Sequence, residues 1–441
     1  MRTDRYELAM LAAAHRDGLA DRGAVFELFT RRLPVGRRFG ILAGLGRFLE
    51  VLPEVRFDAD DLAWLAGEAN VGSAVVEACV AWRFGGHIEA LPEGTPYQAN
   101  EPLLRVRGTF ADGVILETLL LSFLNADSAI AAAAARVRIA AGPTRGLAEL
   151  GGRRVDPDVA VAAARATFIA GFDATSNLAA GQRFAIPTIG TMAHAWVLAH
   201  RTEREAFESW VATHGAASTF LIDTYDIEAG IDAAIDACRQ VGAAPGGIRI
   251  DSGDLGAEAL AARAQLDRAG CAATKIVVSG DLDDLAIVRL HAALIDTYGV
   301  GTQVVCGGGA PTCSMVYKLV AVEDPDGSWR RVAKQSAGKA SVGGLKRLHR
   351  TTADGRVVGD ALSISDPHAF NPADPTDLLV PMVRDGTALP GLTGPVGTLA
   401  ARRTALAALA AMDEDARRLD PGEPAWAATP AAITTAQLME V

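Results

Sequence analysis

Gly247-Ile248-Arg249-Ile250-Asp251-Ser252-Gly253-Asp254-Leu255 is the stretch whose reading decides the fold. Four residues of strand character run into a polar glycine turn, and an amphipathic stretch over 255–269 follows with helical spacing. Working outward, the same rhythm repeats. Apolar runs fall at 148–150, 167–170, 187–190, 219–222, 247–250, 275–278 and 294–297, and helical patterns occupy 203–214, 227–241, 255–269 and 284–293. Each of these helical stretches is long enough for a right-handed crossover between parallel strands. The expectation is an α/β chain whose seven strands close into an irregular parallel β/α barrel.

Polar or glycine-rich positions follow most of the strands: His194, 223–226, 251–254, 279–283 and 299–302. In a parallel barrel these share the carboxyl-end face, where active sites lie. Two readings compete for the aspartates Asp223, Asp226, Asp251 and Asp254, because Asp is also a favoured helix N-cap. Arg249 lies two residues before Asp251 and on the same face of the pleat, so it either neutralises the aspartates or grips an anion. Arg153, Arg154, Arg136 and Arg138 add local positive charge near the first strand. Gly280 with Asp281, and Gly301 with Thr302, sit in glycine turns whose bare amides suit a phosphate. A histidine at such a mouth is either a satisfied packing residue or a base, metal ligand or phosphate acceptor. Lys334, Lys339, Lys346 and Arg347 form a basic stretch that either reaches over the site or is a solvated loop.

The rest of the composition narrows the class. The 441 residues, 50% hydrophobic and 22% charged, suffice for two cores. A net charge of -11 argues against a nucleic-acid or anionic-membrane surface. The first ten residues lack a signal-peptide pattern, and no unbroken apolar run nears the roughly 20 residues of a bilayer span. Five scattered cysteines without a Cys-x-x-Cys pair fit a cytoplasmic chain with reduced thiols and no cysteine metal site. Residues 1–105 read as a separate α/β domain completed by strands from about 331–390. Residues 106–142 read as connecting helices, 143–330 as the barrel and 391–441 as a helical tail.

These segments resemble nicotinate phosphoribosyltransferase over nearly the whole chain. Thr3-Asp4-Arg5-Tyr6, Ala24-Val25-Phe26-Glu27-Leu28-Phe29, Arg32-Leu33-Pro34, Asn100-Glu101-Pro102-Leu103 and Glu117-Thr118-Leu119 look like its N-terminal signatures. Gly171-Phe172-Asp173-Ala174-Thr175-Ser176-Asn177, Gly190-Thr191-Met192-Ala193-His194, Asp223-Thr224-Tyr225-Asp226, Asp251-Ser252-Gly253-Asp254 and Gly299-Val300-Gly301-Thr302 look like its barrel motifs. The resemblance implies a TIM-like barrel in a homodimer with shared active sites, joining nicotinate to phosphoribosyl pyrophosphate to give nicotinate mononucleotide and pyrophosphate in NAD salvage. It implies that ATP phosphorylates His194 and that Mg²⁺ enters mainly with pyrophosphate, with no metal ligand assigned to the protein. It further implies that Tyr6 stacks on the pyridine ring, that Arg249 and the Thr175–Ser176 region fix the carboxylate, and that Arg153 meets phosphate. Asp251 and Asp223 would face the ribose. Gly280, Asp281, Gly301 and Thr302 would cradle the 5′-phosphate, with Lys339 contributing from the basic loop.

The chain departs from the family pattern at Leu150, where an aromatic residue is usual, and at Asp127, Ala133 and Ala337. Two alternatives follow: a nicotinamide phosphoribosyltransferase, and a nucleotide-binding homologue without turnover. Ser176 beside arginine suits a carboxylate better than an amide and favours nicotinate.

Overall fold

In the computed structural model, strand pairing on both sides of Gly247–Ile250 leaves Ile248 and Ile250 with no exposed surface. Residues 2–68, 73–336, 341–365, 374–426 and 428–429 are described. Two compact units are present: Met1–Ala132 with Ala310–Val441, and Ala133–Gly309.

The second unit holds a parallel sheet of six strands, in the order Ala174–Thr175, Gly146–Glu149, Thr297–Val300, Lys275–Ser279, Gly247–Ile250 and Thr219–Leu221. Helices Glu203–His214, Ile227–Arg239, Leu255–Arg268 and Asp284–Arg289 lie between its later strands, and all begin at residues expected from sequence. The expected seven-strand closed barrel is corrected to this open sheet. The 187–190 run carries Pro187, which has no N–H to donate, and it makes only an isolated parallel bridge from Thr188 to Thr175. The 167–170 run is the end of the Pro157–Ile169 helix, whose residues from Ala162 to Ile169 are all buried. A helix covered on every side shows no polar stripe and imitates a buried strand. The last strand is Thr297–Val300, three residues later than the 294–297 run, because Tyr298 and Val300 point into the core while Leu294 is exposed.

The first unit is built on a seven-strand antiparallel sheet ordered Trp329–Arg331, Met315–Glu323, Gly23–Thr30, Pro102–Thr109, His87–Ala90, Val380–Arg384 and Thr387–Ala388. Met315–Glu323 pairs with Gly23–Thr30, so residues 310–330 stand in this unit and not with the expected 143–330 block. Lys346 is buried against Glu27, Nζ to Oε2 2.5 Å, and Arg347 pairs with Asp374. Neither is a solvated loop residue. Lys339 and Ala337 lie outside the described residues. The Phe110–Ala141 helix is long and apolar enough to cross a membrane, yet 61% of its most apolar window is buried inside the fold, as befits a core helix. Among the described residues the last helix is Gly394–Ala411, opening with Pro395 in its first turn.

Tyr6 is exposed in the first turn of the Arg5–Arg16 helix, and the neighbouring Glu7 anchors that turn. Glu7 Oε1 accepts the Thr118 hydroxyl at 2.6 Å and its N–H at 3.0 Å, while Oε2 accepts the Asp4 N–H at 3.3 Å. Burial pushes the Glu7 carboxyl up to about 7, although the Thr118 bonds oppose it. The stability held in the protonated carboxyl is complete below its ordinary value of 4.5 and is lost progressively as pH rises through about 7. Glu7→Gln is expected to remove that decline, so thermal unfolding compared between pH 5 and 8 should fall less steeply than for the unaltered chain. Equal slopes would contradict it.

Candidate functional site

Parallel pairing aligns the carboxyl ends of the second unit's strands, and their next residues converge. Arg249 pairs in register with Leu221 on one side and Val277 on the other. An arginine inside an otherwise apolar strand requires partners. Its Nη2 donates to Asp251 Oδ1 at 2.8 Å, its Nε to Ser279 Oγ at 2.8 Å and its Nη1 to Thr191 Oγ1 at 3.3 Å. Ser279 also donates to Asp251 Oδ1. The arginine therefore neutralises the aspartate in this structure, with three of its N–H groups engaged and the remaining two able to meet a ligand anion. Burial pushes the Asp251 carboxyl up, but the bonds from Ser279 and Arg249 and the charges of Arg249 and His194 outweigh it and hold the pKa below the ordinary value. Asp251 is thus a fixed anion at neutral pH.

The two readings of the aspartate sets divide residue by residue. Asp226 caps the Ile227–Arg239 helix through the Ala229 N–H at 2.9 Å, and Asp254 caps Leu255–Arg268 through the N–H groups of Gly256 and Ala257. Asp223 and Asp251 face the site instead. Asp223 Oδ2 accepts the Asp251 N–H at 2.9 Å and the Ser252 hydroxyl at 2.6 Å. Its Oδ1 is buried without a hydrogen-bond partner and lies 4.0 Å from His194 Nε2.

His194 opens the short His194–Leu198 helix, with its side chain 43% exposed and Nδ1 3.1 Å from Thr224 Oγ1. The ring is therefore held between the loops that follow two neighbouring elements, open to solvent on one side. Gly280 has φ +127°, and a Cβ there would come within 2.9 Å of the Asp251 carbonyl oxygen. Only glycine lets the backbone approach so closely. Asp281 follows at φ +46° and is exposed. Gly301 and Thr302 begin the short Thr302–Val305 helix, half-buried at the end of the neighbouring strand. Ser176 and Arg153 are exposed on the loops after Thr175 and Glu149.

Some expected residues do not join this group. Thr175 is fully buried and donates its hydroxyl to Glu149 at 2.5 Å, behind the exposed face. Arg136 is paired with Asp284 at 2.6 Å, and Arg138 donates to the backbone carbonyls of Gly142 and Arg145. Asp127, one of the departures, is buried against Arg47 at 2.8 Å in the first unit. Leu150 lies over Gly299, where a Cβ would come within 2.5 Å of its Cδ1.

Glu149 and Glu203 escape the sequence reading. Burial first, then the charges of Asp223 and Asp226, push the Glu203 carboxyl up to about 7, and its Oε1 is buried without a hydrogen-bond partner. A charged residue at the first position of a helix looks like ordinary dipole compensation, so only the fold reveals its aspartate neighbours.

The chain matches two family models, the nicotinate phosphoribosyltransferase N-terminal domain over residues 1–125 and the nicotinate phosphoribosyltransferase family over residues 146–361. It is 46% identical over 439 residues to nicotinate phosphoribosyltransferase pncB1 of Mycobacterium tuberculosis, covering 96% of this chain and 93% of that one. It is 38% identical to nicotinate phosphoribosyltransferase of Bacillus subtilis, covering 79% and 72% of the two chains. Among solved structures, human nicotinic acid phosphoribosyltransferase superposes with a TM-score of 0.81 at 26% identity, covering 99% of both chains.

Replacing Arg249 with Leu removes one of the two hydrogen bonds and one of the two charges that hold Asp251 down. Arg249→Leu is expected to bring the Asp251 pKa back to or above the ordinary carboxylate value, read by carbon-13 NMR titration of its carboxyl. An unchanged value would assign the depression to Ser279 and His194.

Proposed function

The chain belongs to the nicotinate phosphoribosyltransferase family, and we propose that the Arg249–Asp251–Ser279 knot, with Asp223 and His194 beside it, is the centre of its reaction. It is an enzyme of NAD biosynthesis that transfers the phosphoribosyl group of phosphoribosyl pyrophosphate to the ring nitrogen of nicotinate, releasing pyrophosphate and leaving nicotinate mononucleotide. The observation that carries the site assignment is the convergence of those side chains at one end of the parallel sheet.

The reaction breaks the bond from the anomeric carbon to pyrophosphate while the new carbon–nitrogen bond forms, and positive charge builds on the ribose ring. Asp251, ionised throughout the neutral range, and Asp223 stabilise that charge electrostatically. Arg249 keeps two N–H groups for the nicotinate carboxylate, assisted by Ser176, while Arg153 meets phosphate. The amides around Gly280, Asp281, Gly301 and Thr302 hold the 5′-phosphate, since bare backbone N–H groups at glycine turns favour anions. Lys339 is proposed as a further contact from its loop. Tyr6, exposed on the first helix, stacks on the pyridine ring from a second copy of the chain, which makes the working form a homodimer.

ATP is the co-substrate in this reading. One ring nitrogen of His194 attacks the γ-phosphorus, the bridging oxygen leaves with ADP, and water later releases inorganic phosphate from the histidine. A carboxylate facing the second nitrogen stabilises the charge on the ring during attack, and the buried Asp223 Oδ1 occupies that direction. Among the described residues no three His, Cys, Asp or Glu side chains group closely enough to hold a metal ion. Mg²⁺ is proposed to enter with the pyrophosphate, where it would offset the charge of the leaving group. All five cysteines are free, four of them buried, which suits the reducing conditions of a cytoplasm.

His194→Ala is expected to abolish ADP formation coupled to product and to lower nicotinate mononucleotide synthesis in the presence of ATP by about 10²-fold or more, as losing a positioned nucleophile does. Synthesis without ATP should stay close to that of the unaltered chain. ATP turnover preserved in His194→Ala would place the phosphate acceptor elsewhere.

A further inference from the structure

Glu149 ends the Gly146–Glu149 strand with 1% of its surface exposed, and its two carboxylate oxygens face two different loops. Oε1 accepts the N–H of Gly151, in the turn that carries Arg153. Oε2 accepts the Thr175 hydroxyl at 2.5 Å, in the turn that carries Ser176. The backbone continues the tie: the Ser176 N–H donates to the Glu149 carbonyl at 2.9 Å, and the Asn177 N–H donates to Thr175 Oγ1 at 3.0 Å. Asn177 in turn caps the Leu178–Phe184 helix through the Ala180 N–H at 2.9 Å.

Gly151 is constrained as well. A Cβ at this position would come within 2.3 Å of Val305 Cγ1 and 3.0 Å of Glu149 Oε1, so the turn is packed against Val305 with the carboxylate close on its other contact, and glycine fits there. Burying a carboxylate is costly, and burial does push the Glu149 carboxyl up, with the Thr175 and Gly151 bonds opposing it. An apolar residue would fill the same space without that penalty, but it would leave the Gly151 N–H and the Thr175 hydroxyl without their acceptor. Neither Glu149 nor Thr175 has surface to offer a substrate. Both act through what they hold.

We propose that Glu149 and Thr175 are positioning residues that fix the spacing between Arg153 and Ser176, and so tune the enzyme to a mononucleotide carrying an anion at each end, a phosphate and a ring carboxylate. This rests on the reading above that Arg153 meets phosphate and Ser176 the carboxylate, and it moves Thr175 from substrate contact to support. A ligand with only one of the two anions needs no set spacing. A ligand with both does.

Titration calorimetry with nicotinate mononucleotide and nicotinamide mononucleotide, on the full chain and three variants, tests it. Thr175→Val keeps the side chain's shape and removes its donor, Thr175→Ser keeps the donor, and Glu149→Asp keeps the charge while withdrawing the carboxylate. Thr175→Val and Glu149→Asp are expected to weaken nicotinate mononucleotide about tenfold and nicotinamide mononucleotide less than threefold, whereas Thr175→Ser stays within about twofold of the unaltered chain for both. Adding Arg153→Ala should erase the difference between Thr175→Val and Thr175, because the spacing no longer joins two contacts. Thr175→Val binding both mononucleotides unchanged, or losing both equally, would overturn the inference while leaving the functional reading in place. Failure of the unaltered chain to bind or form nicotinate mononucleotide would instead bring down that reading, and this inference with it.

Discussion

A guanidinium built into the wall of a parallel sheet must be neutralised where it stands, and Arg249 is neutralised by Asp251, the first residue past the end of its own strand. Much of the second unit's chemistry depends on that pairing. The strand must continue in register beside Lys275–Ser279 for Ser279 to reach both charges, and Asp223 must leave the next strand at a height that meets the Asp251 N–H. The result is a chain of donors and acceptors running across three strand ends, which keeps one carboxylate ionised and leaves one buried oxygen turned toward His194. Such a network resists rearrangement when substrate arrives, because each member is already hydrogen-bonded.

Much of this order is visible before folding. Gly247–Ile250 matches the stretch read as a strand, and helices such as Glu203–His214 match theirs, because a strand between two glycine-rich turns and an amphipathic helix leave separate periodic signals. Errors arise where those signals degenerate. The Pro157–Ile169 helix hides its period by burying every side chain from Ala162 to Ile169, and Pro187 stops the third apolar run from joining the sheet. Closure of a barrel is a long-range property that no local pattern encodes, so the six-strand open sheet could not be anticipated from rhythm alone.

The functional groups follow the same division. An Asp-x-x-Asp pattern at a strand end reads the same for both of its aspartates, and only the fold separates Asp226 and Asp254, which cap helices, from Asp223 and Asp251, which bond to one another's loops beside His194. Glu149 and Glu203 give no sequence signal, since a single acidic residue in an apolar run or at a helix start has ordinary explanations. Their surroundings come from partners 26 and 20 residues away, as with the Thr175 bond to Glu149. Asp127 and Leu150, which depart from the family pattern, have local packing partners in Arg47 and Gly299. Their presence is compatible with the family fold shared along the chain with the human structure.

Transfer of a phosphoribosyl group to nicotinate at these strand ends is open to direct test. The most direct measurement is the stoichiometry of the purified, folded chain given nicotinate, phosphoribosyl pyrophosphate, ATP and Mg²⁺, with nicotinate mononucleotide and pyrophosphate quantified together. One pyrophosphate is expected for each nicotinate mononucleotide formed, with loss of both when Asp251→Ala is assayed. A folded chain that forms neither product, or an Asp251→Ala variant that forms both at the original rate, would contradict it.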